Sequence, residues 1–233
     1  MTDVWEIETP VGLARAHVHP VPRGRPKASL VLGHGAGGGV DAADLAAIAA
    51  ALPAEGVEIV LVEQPWRVAG RRVAGAPSTL DRAWVACVAQ LRTRGIGARR
   101  LVVGGRSSGA RVACRTVGEV QPAALLLLAF PLHPPGQGGA EGRTRSRLPE
   151  LLAAARVVRT AVVQGTRDSF GTPADISNGL VSAAVTAEVV PILGGDHSFR
   201  VLAQASTTTA AALEQVVAAA RSTVGLVVGP AER

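Results

Sequence analysis

Gly105-Arg106-Ser107-Ser108-Gly109 is flanked by two segments of opposite character. Leu101-Val102-Val103-Gly104 before it is short, apolar and β-rich. Ala110-Arg111-Val112-Ala113-Cys114-Arg115 after it reads as the opening turns of a helix. A strand, a G-x-S-x-G turn and a helix form the setting of a nucleophile elbow, where a tight turn exposes a serine hydroxyl. Ser107 fits that register, because it alone has glycine two residues away on both sides. The plainer reading is a glycine-rich turn in which Ser107 or Ser108 only caps the helix. The rest of the chain has to decide between them.

Strand-like apolar runs alternate with alanine-rich helical ones over the 233 residues. Strands are predicted at 5–8, 13–18, 29–32, 57–62, 101–103, 123–129, 157–163 and 187–193. Helices are predicted from Asp41, as cap, to about Leu52, and at 79–94, 108–117, 148–155, 173–183 and 199–222. The run 63–77 reads as an arginine-rich loop. Apolar strands separated by helices imply a mostly parallel central sheet with helices on both faces. The length suits one domain over 1–233, with 131–147 as a lid loop or a disordered insertion.

In a parallel sheet, ligands gather at the carboxyl ends of the strands. His34 and the glycine run to Gly39 follow the third strand, and Ser107 follows the fifth. Asp168 and His197 each follow a later strand. Serine needs a base to take its proton, and the base needs an acid to fix its tautomer and steady its charge. His197 and Asp168 are the types required. The tetrahedral oxyanion needs prearranged donors; the N–H groups of Ser108 and Ala36 are the candidates. Asp175 and Asp196 are rival acids. Asp175 falls inside the next helix, and Asp196 adjoins His197 too closely to bridge to it. His34 is expected to shape the glycine loop, His17 and His19 to be surface residues, and His133 to line the pocket or sit in solvent.

Composition narrows the function further. The formal net charge is +6 and the pI about 11.0. Almost all of the positive charge is arginine, Lys27 being the only lysine, and Asn178 is the only asparagine. Such a bias follows codon usage rather than function. The basic residues are scattered and carry no interleaved aromatics, so no nucleic-acid surface is expected. The longest apolar run, Ala123 to Phe130, is too short to span a bilayer, and the first residues do not read as a signal peptide. Cys87 and Cys114 are then two buried free thiols, and a cytoplasmic location is expected. No His/Cys cluster has metal-ligand spacing. The glycine run with Glu63 is a poor dinucleotide fingerprint. No cofactor and no metal are expected, and the expected partner is a small-molecule substrate. Arg67, Arg71 and Arg72 stand on the same rim as Ser107, and Arg106 stands beside it. Arg67 and Arg106 are therefore candidates for holding a substrate carboxylate, against the reading that they are solubility residues.

LVLGHGAGGG, LVVGGRSSGARVA, LLLLAFPLHPPG, VVQGTRDSFG and GGDHSF occur in that order between residues 30 and 199. Together they resemble small bacterial hydrolases of the dienelactone-hydrolase-like group, in the branch related to a testis-expressed hydrolase-like protein of animals. The resemblance implies an α/β-hydrolase fold with a small or absent cap. It carries Ser107, Asp168 and His197 over as the triad, in that fold's chain order of nucleophile, acid, base. It departs from the pattern beside Ser108, where methionine or glycine is expected, and in the loop after Glu63, which is poor in aromatics. The expected activity is cleavage of a small ester, thioester or lactone. A non-catalytic scaffold of the same fold is the alternative, and acyl transfer by the same triad is a third reading.

Overall fold

Period-two burial in the central strands shows why the sheet is covered twice. Val31, Val60 and Val62 face one core, while Leu30, Leu32, Ile59 and Leu61 face the other. The computed structural model describes residues 2–134 and 146–228. In chain order its elements are β1 Asp3–Thr9, β2 Gly12–His19, β3 Ala28–Gly33, α1 Ala43–Ala51, β4 Val57–Glu63, α2 Pro65–Val68, α3 Pro77–Thr93, β5 Leu101–Arg106, α4 Ser108–Arg115, α5 Val117–Val120, β6 Ala124–Leu128, α6 Leu148–Ala155, β7 Thr160–Gly165, α7 Pro173–Ser182, β8 Glu188–Ile192 and α8 Thr209–Gly225.

The strands form one 8-stranded sheet in the order β1-β2-β4-β3-β5-β6-β7-β8. Pairing is antiparallel for β1 with β2 and for β2 with β4, and parallel from β4 through β8. Leu45, Ile48 and Leu52, together with Ala212, Val216 and Ala220 of α8, cover one face. Leu80, Trp84, Val88 and Leu91 of α3 cover the other, with Ala113 of α4, Leu151 of α6 and Ile176 of α7. This is the α/β-hydrolase fold.

The chain leaves β3 toward β4 on one side and returns to β5 on the other. The switch point therefore lies between β3 and β5, where a crevice opens at the carboxyl edge. The loop after β3 and the turn after β5 face each other across it.

Several sequence expectations need correction. Asp41 does not cap α1; Ala42 holds that place and contributes no side-chain bond. The loop after Glu63 contains the short helix α2. The closing helix starts at Thr209, with Thr208 accepting from the Ala211 N–H at 3.1 Å. The alanine periodicity concealed this start; Phe199, where the helix was expected to begin, takes a positive φ of 56°. His17 is only half-buried and lies 3.5 Å from Glu63, so it is no plain surface residue. The predicted lid, 131–147, falls mostly on 135–145, which lie outside the described residues.

The elbow depends on close backbone contact. A Cβ on Gly109 would overlap the Gly33 carbonyl, and one on Gly105 would press against both Gly33 and Gly109. Those neighbours are backbone atoms in the sheet centre and cannot swing away. Gly109→Ala is therefore expected to cost more than about 4 kcal/mol. The measured melting temperature should fall by roughly 10 °C or more. An unchanged melting temperature would show that the β3–α4 approach is looser than this packing requires.

Candidate active site

Ser107 sits at the turn between β5 and α4 with φ 53° and ψ −108°. A non-glycine residue there carries strain on the order of 1–3 kcal/mol. The fold supports it through the Ser107 N–H, which donates to the Leu128 carbonyl at 2.9 Å. Ser108, by contrast, has entered the helix. The strain marks Ser107, and not Ser108, as the serine of the turn.

His197 lies on the irregular segment 193–208 that follows β8. Its Nε2 is 3.0 Å from Ser107 Oγ and its Nδ1 is 2.8 Å from Asp168 Oδ2. The Phe170 ring packs against the imidazole with 4.2 Å between centroids. Asp168 is 2% exposed. Its Oδ1 accepts from the Phe170 N–H at 2.8 Å, and its Oδ2 also accepts from Gln164 Nε2 at 2.8 Å. Gln164 is fully buried and donates as well to the Gly171 carbonyl at 2.8 Å. A carboxylate so held stays an acceptor aimed at His197. An imidazole oriented this way can take a proton from the serine and keep its developing charge balanced.

Across the crevice, His34 fixes the glycine loop. The Gln64 N–H can only donate, and it reaches His34 Nε2 at 3.1 Å. The ring proton therefore sits on Nδ1, which donates to the Gly35 carbonyl at 2.8 Å. Burial pushes the His34 imidazole below its ordinary pKa and keeps it neutral. In a trans peptide the carbonyl and the following N–H point opposite ways. Pulling the Gly35 carbonyl back onto His34 thus turns the Ala36 N–H outward. Ala36, Ser107, Ser108 and His197 all line one cleft of about 540 Å³.

The other expected residues part company. Arg106 lines the cleft, but its guanidinium is engaged by Asp44, the His197 carbonyl and Ser198. It is not a free receptor for a carboxylate. Arg67 is exposed beside Gly39 and does not line the cleft. His133 lines a neighbouring cleft with Ser169 and Asp175. Asp175 forms the capping box of α7 with Thr172. Asp196 accepts from the N–H groups of Ser198 and Arg200 at 2.7 and 2.9 Å. Both rival acids are thus committed to local turns.

Sequence reasoning missed Gln164, Phe170, Asp44, Arg111 and Arg147. Gln164 left a signal, as a polar residue at the end of an otherwise apolar strand. The arginines left none, being hidden in a chain that uses arginine everywhere. Cys87 and Cys114 are free and buried, as expected. Among the described residues no acidic, histidine or cysteine cluster suits a metal ion, and no helix is long and apolar enough to cross a membrane.

Comparison with known proteins agrees with this architecture. The sequence finds no match among curated proteins. The fold resembles an α/β serine hydrolase homologue from Coxiella burnetii, at 16% identity and TM-score 0.73, covering 95% of this chain and 98% of that one. It also resembles a lid-less α/β serine hydrolase from Xanthomonas campestris, at 18% identity and TM-score 0.67, covering 95% and 94%. A thermophilic carboxylesterase from a metagenomic library matches at 18% identity and TM-score 0.71, covering 99% and 90%. Residues 26–225 match the model of an alpha/beta hydrolase domain family. Together with the sheet order and the elbow after β5, that match places the chain in the alpha/beta hydrolase domain family.

Proposed function

We propose that this protein is a serine hydrolase that cleaves a small ester, thioester or lactone through an acyl-enzyme. The observation that carries the reading is the hydrogen-bonded line Ser107–His197–Asp168, with contacts of 3.0 and 2.8 Å, ending on a strained serine. His197 Nε2 removes the Ser107 proton as Oγ attacks the substrate carbonyl carbon. The resulting oxyanion lies against the N–H groups of Ala36 and Ser108. The alcohol or thiol departs with the proton from His197, leaving the acyl group on Ser107. Water then enters, gives its proton to His197 and attacks the acyl carbon. The acid leaves, and the proton returns to Ser107. Asp168 holds the imidazole in the tautomer that both halves need. A binding scaffold has no use for a strained serine aligned with an oriented histidine. Arg67 and His133 both stand outside the cleft and do not reach a substrate bound there.

A substrate bearing negative charge suits the cleft. Arg111 is paired with Glu150 at 2.6 Å, Arg115 with Asp81 at 2.6 Å, and Arg106 with Asp44 at 3.1 Å. Arg147 lines the same cleft, and Glu150, the carboxylate whose charge it feels, is already paired with Arg111 and Arg115. Its Nη1 donates to the Pro131 and His133 carbonyls, each at 3.2 Å. Burial and the nearby Arg111 cation push its pKa below the usual arginine value. A half-buried guanidinium with spare donors is a carboxylate receptor by geometry. This moves the substrate-charge reading from Arg67 and Arg106 to Arg147. The sequence blocks that frame the site support the dienelactone-hydrolase-like branch. Two buried thiols suit a reducing, cytoplasmic setting.

Two measurements test this reading. Ser107→Ala should lower kcat for p-nitrophenyl acetate by roughly four to six orders of magnitude, in the range of triad deletions. Ser108→Ala should keep most of it. Activity that survives in the first and vanishes in the second would put the nucleophile at 108. Arg147→Met should raise KM for a succinate hemiester about 10-fold, the loss of one charge-assisted contact. The neutral methyl ester should be nearly unaffected. Equal effects on both esters would remove Arg147 from substrate recognition.

A further inference from the structure

Arg106, the residue immediately before the proposed nucleophile, joins three segments that the backbone leaves apart. Its Nη2 donates to the His197 carbonyl at 2.6 Å and to Ser198 Oγ at 2.9 Å. Its Nε is 3.1 Å from Asp44 Oδ2. That last contact is a charge pair without an aligned hydrogen bond, since Asp44 Oδ2 accepts none. Asp44 belongs to the first turn of α1, just beyond the glycine loop that carries Ala36. It is 1% exposed, and its Oδ1 accepts from the Leu45 N–H at 3.0 Å. The guanidinium passes so close to the glycine loop that a Cβ on Gly35 would stand 3.2 Å from Nη1.

Burying a carboxylate is costly unless it is paired, and a buried ion pair adds little net stability over well-packed apolar residues. What this pair supplies is geometry. His197 stands on segment 193–208, which has no helix or strand of its own. The imidazole has to stay within hydrogen-bond reach of Ser107 Oγ although the two residues lie on different elements. A planar fork suits that task, because it can hold a carbonyl with one nitrogen while another faces a carboxylate. Asp44 draws the guanidinium toward α1 and balances its charge beside the imidazole.

We infer that Arg106 is a positioning residue for His197, held in place by buried Asp44, so that the nucleophile turn, the base and the loop bearing Ala36 are set as one unit. The inference rests on the serine-hydrolase reading and adds to it a role for two residues that touch no substrate. It also accounts for Arg106 in the elbow without invoking substrate charge. The cleft keeps an arginine here because a lysine presents a point charge where a fork is needed.

The test uses the full chain in two forms. Arg106→Lys keeps a cation beside Asp44, so the buried carboxylate is not stranded. Asp44→Asn/Arg106→Met removes both charges together. Folding of each is checked by circular dichroism and thermal melting, and turnover of p-nitrophenyl acetate is measured at 25 °C. Both variants should lose about 10- to 100-fold in kcat, the scale expected when a reacting group is displaced by about 1 Å. KM should change less than about threefold. The rate of inactivation by a fluorophosphonate should fall in parallel, because it depends on the same Ser107–His197 contact. Wild-type kcat in either folded variant would overturn the positioning role, as would failure of both to fold. A wild-type protein that neither turns over the ester nor reacts with the fluorophosphonate would instead overturn the reading of the site itself.

Discussion

The close approach of β3, β5 and α4 is the constraint on which the rest depends. Backbone meets backbone where Gly33, Gly105 and Gly109 come together, with no room for a Cβ on Gly105 or Gly109. The chain can then turn from strand to helix within one residue, and that residue takes the strained conformation. Ser107 is left at the head of the switch-point crevice, beside the loop that follows β3. The sheet order brings this about: β3 and β5 are adjacent and parallel although β4 lies between them in sequence. Nothing in the cleft could be placed without that crossover.

Around this fixed point the other groups are supplied by less regular segments, and each is held by a buried or half-buried polar contact. His34 grips the Gly35 carbonyl, Gln164 grips Asp168, and Arg106 grips the His197 carbonyl. His34 and Gln164 are buried, and the donors that make these ties are all engaged, as buried donors require. Low local exposure makes such contacts firm, since water does not compete for the same donors. The site thus combines one rigid backbone feature with several side-chain ties that tune it.

Much of this was legible in the sequence, for identifiable reasons. Strand periodicity and apolar runs located the sheet, because strands buried on both faces admit few alternatives. The G-x-S-x-G register picked Ser107 because only glycine fits on either side. Asp168 and His197 could be found because each follows a strand in a parallel sheet. The side-chain ties were not legible. Arg106 carries no mark that separates it from the many arginines around it, and Asp44 looks like an ordinary acidic residue in a first helical turn. Its burial arises from how α1 packs, which no local pattern encodes. The start of the closing helix was misplaced for a related reason: the alanine-rich pattern reached back past Ser206-Thr207-Thr208, where a capping threonine was the better signal.

Ser107 as a nucleophile activated by His197 is the claim on which the proposed activity rests. Labelling of the purified protein with a fluorophosphonate, followed by mass-spectrometric mapping of the modified peptide, tests it most directly. A single stoichiometric adduct is expected on Ser107, lost when His197 is replaced by alanine. An adduct on Ser108 or another residue, or an adduct on Ser107 that forms equally fast without His197, would contradict it.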